Sequence, residues 1–375
     1  MTLWTHSDDD GATINERMVL DIVRRRQRIM RSAISPLTNL TQPSVHRIID
    51  TLLERGLLQL GDSIIHGRGK PSPALELRPS AQYSIGVSVN TDSLSFCLCD
   101  FRCRLLHEET LDIALDDRAR ALLALKSRVR QALQSTGTPT SALAGIGFAM
   151  AGYLVGERRM FNAPEPLQDW SLVDLKHELE TLFDLDVWTE NNATTGAIGE
   201  SILGAGLQYP TFGYLSFNYG FGAGIIINGQ PLVGAFGNAG EISRIYTREE
   251  HPSRPALGEL IKRLNARGID IQRISDLRQH FDADWPGVRE WVTEVGPCLN
   301  RAIDALRAVI DPAAIVFGGE LPAALGALLL QVPSTRQPPR YGQEAAMPRL
   351  LLSQIHNDPA VLGAALMPLK ARYFA

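Results

Sequence analysis

The stretch that decides the fold of the N-terminal region reads TQPSVHRIIDTLLERG, from Thr41 to Gly56. Its apolar residues recur at the spacing of one helical face, at Val45, Ile48, Ile49, Leu52 and Leu53. Thr41 suits an N-cap, Pro43 suits a first helical turn, and Gly56 is a natural stop after the last turn. The stretch therefore predicts an amphipathic helix from Thr41 to Arg55, with one face buried and the other free.

Helical spacing precedes this helix, and strand-like segments follow it. Asn15–Arg28 predicts a first helix, and Ser32–Leu37 predicts a short segment before the turn. Leu57–Leu60 and Ala74–Leu77 can pair as two strands around the basic tip Gly67-Arg68-Gly69-Lys70-Pro71. Two helices, a tight turn and a hairpin in this order are typical of a winged helix-turn-helix.

The free face of the second helix carries side chains that suit DNA. The predicted groove-facing residues near its start are Gln42, Ser44, His46 and Arg47. Gln and Arg can make bidentate contacts with adenine and guanine edges, and Ser can bond to bases or phosphates. Arg68 and Lys70 in the wing tip suit phosphates or a narrow minor groove. Two alternatives stay open: these residues are solvated surface, or the winged helix binds a protein.

The charge of the chain is unevenly spread. The net charge is −4, yet residues 14–80 carry +5 and residues 81–375 carry −6. A basic N-terminal piece on an acidic body predicts an anion-binding module joined to another domain. Chance in a short window is the competing explanation.

Composition excludes several classes of protein. With 45% hydrophobic and 21% charged residues in 375, disorder and collagen do not describe the chain. No apolar run reaches the roughly 18–20 residues that span a bilayer, and Met1–Asp10 lacks the apolar core of a signal peptide. Four Cys are too few for a disulfide scaffold. We expect a cytoplasmic protein with reduced thiols and no membrane partner.

Beyond residue 82 the pattern changes to short β-rich runs separated by helices. The predicted strands are Tyr83–Val89, Leu94–Asp100, Ala144–Ala149, Val187–Glu190, Tyr214–Asn218, Gly224–Asn228 and Ala314–Phe317. The predicted helices are Arg118–Gln134, Leu172–Phe183, Thr194–Leu203, Gly258–Ala266, Gly287–Val309 and Pro359–Leu369. Such mixing, with glycine turns at strand ends, predicts α/β lobes that bind ligands at those ends.

Four motifs, in order, carry a resemblance to a known family. They are the wing tip; Glu190-Asn191-Asn192-Ala193; Gly237-Asn238-Ala239-Gly240-Glu241-Ile242; and Asp311-Pro312-Ala313-Ala314-Ile315-Val316-Phe317-Gly318-Gly319. With the preceding winged helix, the chain from Asn15 onward resembles the ROK family (repressors, open reading frames, kinases), in its NagC/XylR-type repressor branch. The resemblance implies a two-lobed actin-like, sugar-kinase (ribonuclease H-like) ATPase fold and a homodimer or tetramer. It also implies that a sugar in the cleft alters operator binding.

On this basis we expect three domains. Residues 1–80 form the winged helix-turn-helix DNA-binding domain. Residues 81–200 form the first kinase-like lobe, to which the C-terminal helix 359–375 returns. Residues 201–358 form the second lobe, with the sugar cleft and the dimerisation surface.

The chain departs from the family's kinases at three places. The phosphate loop, Asp-x-Gly-Gly-Thr-Lys in type, reads Ser88-Val89-Asn90-Thr91-Asp92-Ser93, without the glycines that let backbone amides approach phosphate. The second phosphate turn reads Asn218-Tyr219-Gly220. The family's catalytic Asp is Asn192, whose amide cannot act as a general base, a role worth about 10²–10⁴ in rate. We expect no kinase activity and no cofactor.

The family's zinc site is also missing from the sequence. Arg244 stands at the position of the zinc His, and no Cys lies between Glu241 and Pro297. Structural zinc usually needs four S or N ligands, so we expect no metal. Cys97, Cys99 and Cys103 lie in the first predicted hairpin and are interpreted as core thiols.

The expected ligand site is a remnant of the family's sugar site. The positions of Asn191, Asn192 and Glu241 hold sugar hydroxyls in the family, and Asn162 lies in a loop similar to one that covers the sugar. Trp170, in the same loop, is interpreted as packing. A guanidinium at Arg244 prefers a carboxylate or phosphate, which favours an anionic effector. An internal Arg244–Glu241 pair that closes a degenerate site is the open alternative.

The sequence therefore predicts a sugar-responsive transcriptional regulator, a repressor of carbohydrate uptake and metabolism genes. Its partners would be a double-stranded DNA operator, a sugar or sugar derivative, and further copies of itself. One rival is a ROK-type sugar kinase that phosphorylates a carbohydrate with ATP. A second rival is a DNA-binding protein without any effector.

Overall fold

A computed structural model describes residues 11–64, 72–156, 160–332, 341–355 and 358–375. The wing residues Arg68 and Lys70 lie outside the described residues. None of the helices in these ranges is long and apolar enough to cross a membrane.

The N-terminal module has the predicted helix-turn-helix order. Its elements are α1 Ile14–Arg26, β1 Ile29–Met30, α2 Gln42–Glu54, β2 Leu58–Ile64 and β3 Ser72–Leu77. Two short 3₁₀ turns, Arg31–Ala33 and Ser35–Leu37, separate the helices. The strands form an antiparallel sheet in the order β1-β3-β2, so the predicted hairpin is confirmed and gains a third strand.

Local chemistry sets the ends of the two helices differently. Thr13 and Glu16 cap α1 reciprocally in a capping box, which orders the first turn. Thr41 occupies the N-cap position of α2 as predicted, but its side chain makes no capping bond there. Its hydroxyl instead lies 2.9 Å from that of Ser44. The predicted apolar face of α2 is buried at Val45, Ile49 and Leu52.

The first lobe is a five-stranded sheet with helices on both faces. Its elements are β4 Tyr83–Val89, β5 Leu94–Asp100, β6 Leu105–Leu111, α3 Arg118–Thr136, β7 Leu143–Met150, β8 Tyr153–Val155, β9 Met160–Asn162, α4 Leu175–Phe183, β10 Val187–Asn191 and α5 Asn192–Leu203. The strand order is β10-β7-β4-β5-β6. β4 and β5 have the predicted bounds, whereas α4 begins three residues late because Leu172 has φ 58° and Asp174 caps the helix.

The second lobe repeats this layered plan. Its elements are β11 Phe212–Phe217, β12 Phe221–Ile227, β13 Gln230–Pro231, α6 Leu257–Asn265, α7 Ile274–His280, α8 Val288–Ile310, β14 Ala314–Gly319, α9 Ala323–Leu329 and β15 Arg349–Leu352. The strand order is β13-β12-β11-β14-β15, with β14 parallel to both neighbours. Sequence reasoning missed α7, α9 and the edge strands β6 and β15, which are short or partly exposed.

The C-terminal helix α10, Pro359–Tyr373, returns to the first lobe and outlasts its predicted end at Leu369. It lies against β4 and β7, where Gly86 and Gly147 admit its backbone. A Cβ at Gly147 would lie 1.8 Å from the carbonyl oxygen of Ala364, so no larger residue fits this crossing. Cys97 and Cys99 face the same helix and are fully buried, as the core interpretation requires.

Candidate functional site

The exposed side of α2 forms one open groove-like face. Its residues are Gln42, Pro43, His46, Arg47, Asp50, Thr51 and Glu54. Gln42 and Arg47 are exposed, His46 is half-buried, and Ser44 lies at the edge of this face with its hydroxyl directed at Thr41. The structure thus brings Gln42, His46 and Arg47 together, and separates Ser44 from them.

Charge changes sign along this face. Arg47 lies in the first half of α2, whereas Asp50 and Glu54 lie in the second half. Asp50 accepts from Arg31 at 2.6 Å, which places a second guanidinium beside the helix. Sequence reasoning did not find Arg31, because the pairing joins two elements 19 residues apart. A phosphate backbone would be attracted to the first half of α2 and repelled by the second half.

The cleft between the lobes has two sides, and Asn90 organises the first. This residue follows β4 and is 2% exposed. Its Oδ1 accepts from Nδ2 of Asn192 at 2.6 Å and from Nδ2 of Asn218 at 3.0 Å. Its Nδ2 donates to Glu320 at 3.3 Å and to Asp358 at 3.2 Å. The three departures from the kinase motifs therefore meet in one hydrogen-bonded cluster, which we call the Asn90 network.

The carboxylates of the Asn90 network are deeply buried. Burial, reinforced by the nearby Asp358, raises the pKa of Glu320 to about 8, although Arg278 opposes the shift. Burial likewise raises the pKa of Asp358, which also caps α10 through the N–H of Ala360. Arg278 of α7 donates to Glu320 at 2.9 Å. At neutral pH Glu320 therefore keeps its proton, and a polyphosphate on this side of the cleft would meet buried acidic groups.

The turn after β4 also joins the two lobes. Asp92 accepts from the backbone N–H of Ile274, at the start of α7, at 2.6 Å. The hydrogen bonds from Asn90 to Asn218 and Glu320 cross the same boundary. The stretch that corresponds to a kinase phosphate loop therefore connects one lobe to the other.

The second side of the cleft contains Asn162, Tyr153 and Arg244, which we call the Tyr153 cluster. Nδ2 of Asn162 donates to the hydroxyl of Tyr153 at 2.9 Å. The Arg244 guanidinium lies over the Tyr153 ring, 5.0 Å from its centroid. Tyr153 belongs to β8 of the first lobe and Arg244 to a 3₁₀ turn of the second, Ile242–Ile245. The cluster thus spans the cleft, and Tyr153 was not predicted from sequence.

The other predicted ligand residues are placed differently. Asn191 caps α5 with its Oδ1 and donates to the Gly152 carbonyl, so both of its polar atoms already have partners. Nδ2 of Asn192 points to the Asn90 network, and its buried Oδ1 has no hydrogen-bond partner among the described residues. Glu241 is half-buried beside Arg244, and burial raises its pKa. The structure gathers Asn162, Glu241 and Arg244 and directs Asn192 elsewhere.

Asn238 adds a cross-lobe clamp that sequence reasoning missed. Its amide accepts from the N–H of Leu154 and donates to the Leu154 carbonyl, both at 2.7 Å. Asn238 belongs to the quoted glycine-rich motif, yet nothing in the motif shows that its partner is β8. Trp170 donates to the Leu115 carbonyl at 2.7 Å and stacks on Phe148, which agrees with the packing interpretation.

The N-terminal module rests on the far ends of α5 and α10. Arg24 of α1 donates to the carbonyl of Ile202 at 2.8 Å, and its guanidinium lies over Phe374. The N–H of Ala12 donates to the carbonyl of Arg372 at 2.8 Å. Both helices begin at the Asn90 network, α5 with Asn192 and α10 after Asp358. The cleft and α1 are therefore joined by two continuous helices.

Lys370 ties the second lobe to this junction. Its Nζ donates to the carbonyl oxygens of Ala375 at 2.9 Å and Gly229 at 3.4 Å. Gly229 lies between β12 and β13, so the contact joins the second lobe to the end of α10. Burial lowers the pKa of Lys370 to about 8.

Comparison with known proteins matches the family and the fold of this chain. The ROK family profile matches residues 84–371. A xylose repressor of Caldicellulosiruptor bescii is 27% identical over 278 residues, 70% of this chain and 69% of that protein. The transcriptional dual regulator NagC of Escherichia coli is 25% identical over 346 residues, 86% and 84% of the two chains.

Solved structures agree with this match. A ROK family transcriptional regulator, a homologue of the E. coli Mlc protein, has a TM-score of 0.70 at 19% identity and covers 96% of each chain. A ROK hexokinase from Thermus thermophilus has a TM-score of 0.56 at 22% identity and covers 76% of this chain and 97% of its own. The regulator thus covers the N-terminal module and the body together. This chain, a winged helix-turn-helix on a sugar-kinase-like α/β body, belongs to the ROK family.

Proposed function

We propose that this protein is a DNA-binding transcriptional regulator, a repressor of carbohydrate uptake and metabolism genes that responds to a sugar or sugar derivative. The observation that carries the proposal is the exposed face of α2, with Gln42, His46 and Arg47 aligned on a winged helix-turn-helix. Relatives named xylose repressor and NagC support it.

In this proposal the first half of α2 enters the major groove of an operator. Gln42 and Arg47 read base edges, His46 contributes a polar contact, and Ser44 bonds to the backbone or a base when it leaves Thr41. The acidic residues Asp50 and Glu54 stay outside the groove. Arg68 and Lys70 of the wing contact phosphates or the minor groove, a proposal carried over from the sequence.

In this proposal each of the three domains has its own role. Residues 1–80 bind DNA, residues 81–200 with 359–375 form the first lobe, and residues 201–358 form the second lobe with the dimerisation surface. A homodimer or tetramer places two α2 helices in successive major grooves, about one helical turn or a multiple apart.

The body acts as a sensor rather than a kinase. Asn192 lacks the basicity that deprotonation of a sugar hydroxyl requires, and it is already engaged with Asn90. The Asn90 network brings buried carboxylates to the side of the cleft that corresponds to the phosphate site. A polyphosphate in this position would have to displace the network and would meet acidic groups instead of donors.

A ligand in the cleft affects DNA binding if it favours one arrangement of the lobes. Both α5 and α10 run from the Asn90 network to α1, and Lys370 connects the second lobe to the same end. A change in the angle between the lobes therefore moves the support on which α1 rests. In a dimer, this movement alters the spacing of the two α2 helices.

Arg47→Ala tests DNA binding, with Arg120→Ala as its control. Both residues are exposed arginines, but Arg120 lies on α3 of the first lobe. Fluorescence anisotropy with a duplex selected from the source genome should show that Arg47→Ala binds at least about 10-fold more weakly than the unchanged protein. If Arg47 reads a base, the loss of binding free energy should be about 1–3 kcal/mol. Arg120→Ala should bind as the unchanged protein does. Absence of salt-dependent affinity for any selected duplex would contradict the proposed function.

A further inference from the structure

Arg244 is an exposed guanidinium without a carboxylate partner in the part of the chain that the structure describes. Its guanidinium lies over the ring of Tyr153, 5.0 Å from the centroid. Arg278, on the opposite side of the cleft, instead donates to Glu320 at 2.9 Å. The two cleft arginines therefore differ: one has a side-chain hydrogen-bond partner in the protein, and the other is available to a ligand.

Glu241 does not neutralise Arg244 by contact. No ion pair within 4.0 Å joins these two side chains among the described residues, although they lie on one short turn. Burial raises the pKa of Glu241, while the charge of Arg244 lowers it, so the pair interacts only at longer range. The internal Arg244–Glu241 pair, which would close the site, is therefore not the arrangement of this structure.

Tyr153 lies beneath Arg244 and adds a donor. The ring face attracts the guanidinium, whose planar fork suits a bidentate acceptor such as a carboxylate or phosphate. Because Asn162 donates to the Tyr153 hydroxyl, that hydroxyl keeps its own proton for a second acceptor. Two donors, the Arg244 guanidinium and the Tyr153 hydroxyl, therefore lie beside each other across the lobes, and Asn162 supports the hydroxyl.

We propose that the cleft binds an anionic sugar, whose carboxylate or phosphate group is held by Arg244 and Tyr153. The inference rests on the proposed function, because it concerns the ligand of the same cleft. Arg244 and Tyr153 belong to different lobes, so an anion between them holds the lobes together. A neutral sugar would gain hydroxyl contacts but would leave the guanidinium without its charged partner.

Isothermal titration calorimetry of the full chain tests the proposal with named probes. The neutral arm uses D-glucose and D-xylose, the carboxylate arm uses D-glucuronate and D-gluconate, and the phosphate arm uses D-glucose 6-phosphate. Inorganic phosphate and acetate show whether a bare anion suffices. At least one acidic sugar should bind more tightly than every neutral sugar, and the two acidic arms tell a carboxylate from a phosphate.

Variants of Arg244 test whether its positive charge binds the anion. Arg244→Gln should weaken the acidic sugar about 10- to 100-fold, as expected from loss of a charge-assisted hydrogen bond. Arg244→Lys should recover part of this loss, because it keeps the charge without the planar fork. Arg248→Gln is the matched control, since it removes an exposed arginine four residues away. An unchanged thermal midpoint of Arg244→Gln would show that its fold is intact.

Two results would overturn the anionic ligand. One is binding of neutral sugars as tight as that of the acids; the other is an Arg244→Gln variant that binds the acids as the unchanged protein does. Failure of every sugar to bind would overturn it as well. In each case, retained salt-dependent affinity for a selected duplex would leave the DNA-binding function standing.

Discussion

The two sides of the cleft differ in how completely the protein satisfies its own polar groups. In the Asn90 network one amide makes four hydrogen bonds and is 2% exposed. In the Tyr153 cluster Arg244 is exposed without an ion pair among the described residues, and Glu241 is half-buried. The side where Asn90 joins several polar groups is suited to hold the lobes, although Oδ1 of Asn192 has no partner there among the described residues, and the side with an exposed guanidinium is suited to bind an anion.

The difference follows from what a buried polar group costs. An unpaired buried amide or carboxylate loses several kcal/mol of hydration unless a partner replaces the water. The Asn90 network supplies these partners from the chain itself. The Tyr153 cluster leaves its donors in contact with solvent, where they stay available to a ligand at little cost.

The largest expected effect comes from Asn90→Ala, compared with Asn162→Ala. Loss of Asn90 removes one hydrogen bond each from Glu320, Asp358, Asn192 and Asn218 in a largely buried setting, so the free energy of unfolding should fall by about 3 kcal/mol or more. Asn162 is half-buried, and its loss should cost less than about 1 kcal/mol. Urea denaturation of the two variants measures both values. Equal losses of unfolding free energy in the two variants would contradict the difference between the two sides of the cleft.

A second, smaller effect concerns pH. Burial raises the pKa of Glu320 from its ordinary 4.5 to about 8, and the nearby carboxylates of Asp358 and Asp92 add to the rise. The positive charge of Arg278 opposes this shift. Between these values the folded protein keeps a proton that the unfolded chain releases, so stability should fall as pH rises from about 5 to 8. For a single group the slope approaches about 1.4 kcal/mol per pH unit.

Glu320→Gln should flatten this part of the stability profile, because the neutral amide does not titrate. Glu165→Gln, an exposed carboxylate, is the matched control and should keep the slope of the unchanged protein. Denaturation at several pH values measures the difference between the two variants. A Glu320→Gln profile as steep as the control would place the buried proton on another group.

The smallest expected effect is that of Asn192→Asp, which places a carboxylate where the resemblance to ROK kinases implies a catalytic Asp. A general base alone should not give a kinase, because Asn90 and Asn218 still occupy the side that corresponds to the phosphate site. A coupled ATP assay with D-glucose, D-xylose and D-glucuronate should show no turnover above background. Turnover by this variant, or by the unchanged chain, would contradict the role assigned to the Asn90 network.

The parts of the fold with periodic apolar residues or clear turn residues were predictable from the sequence. The apolar spacing around Ile49 fixed α2, and the turn Asn90-Thr91-Asp92 fixed both strands of the first hairpin to the residue. Short elements such as α7 and β15 gave no such signal, because their partners lie far along the chain. The start of α4 was misplaced since the left-handed backbone at Leu172 depends on tertiary packing.

The candidate site was predictable only in part. The sequence led us to expect a loss of phosphate glycines near Asn90 and of a catalytic carboxylate at Asn192, but it gave no sign of the hydrogen bond between these two residues. Glu320 follows Gly318-Gly319, and Asp358 precedes a predicted helix, so neither position indicated a buried acid. Tyr153 carries no motif and became visible only beneath Arg244.

The sequence alone determined local features. Apolar spacing predicted the helix-turn-helix, glycines predicted where strands end, and the absence of particular side chains indicated which chemical groups the site lacks. These follow from residue type and distance along the chain, which need no other segment. What the tertiary structure decided is which polar groups meet. Asn90 finds its partners 102 to 268 residues away, and Arg244 meets the ring of Tyr153 from the other lobe. Burial and hydrogen-bond partners depend on how distant segments pack against each other. This packing buries Asn90 on one side of the cleft and leaves Arg244 exposed on the other side.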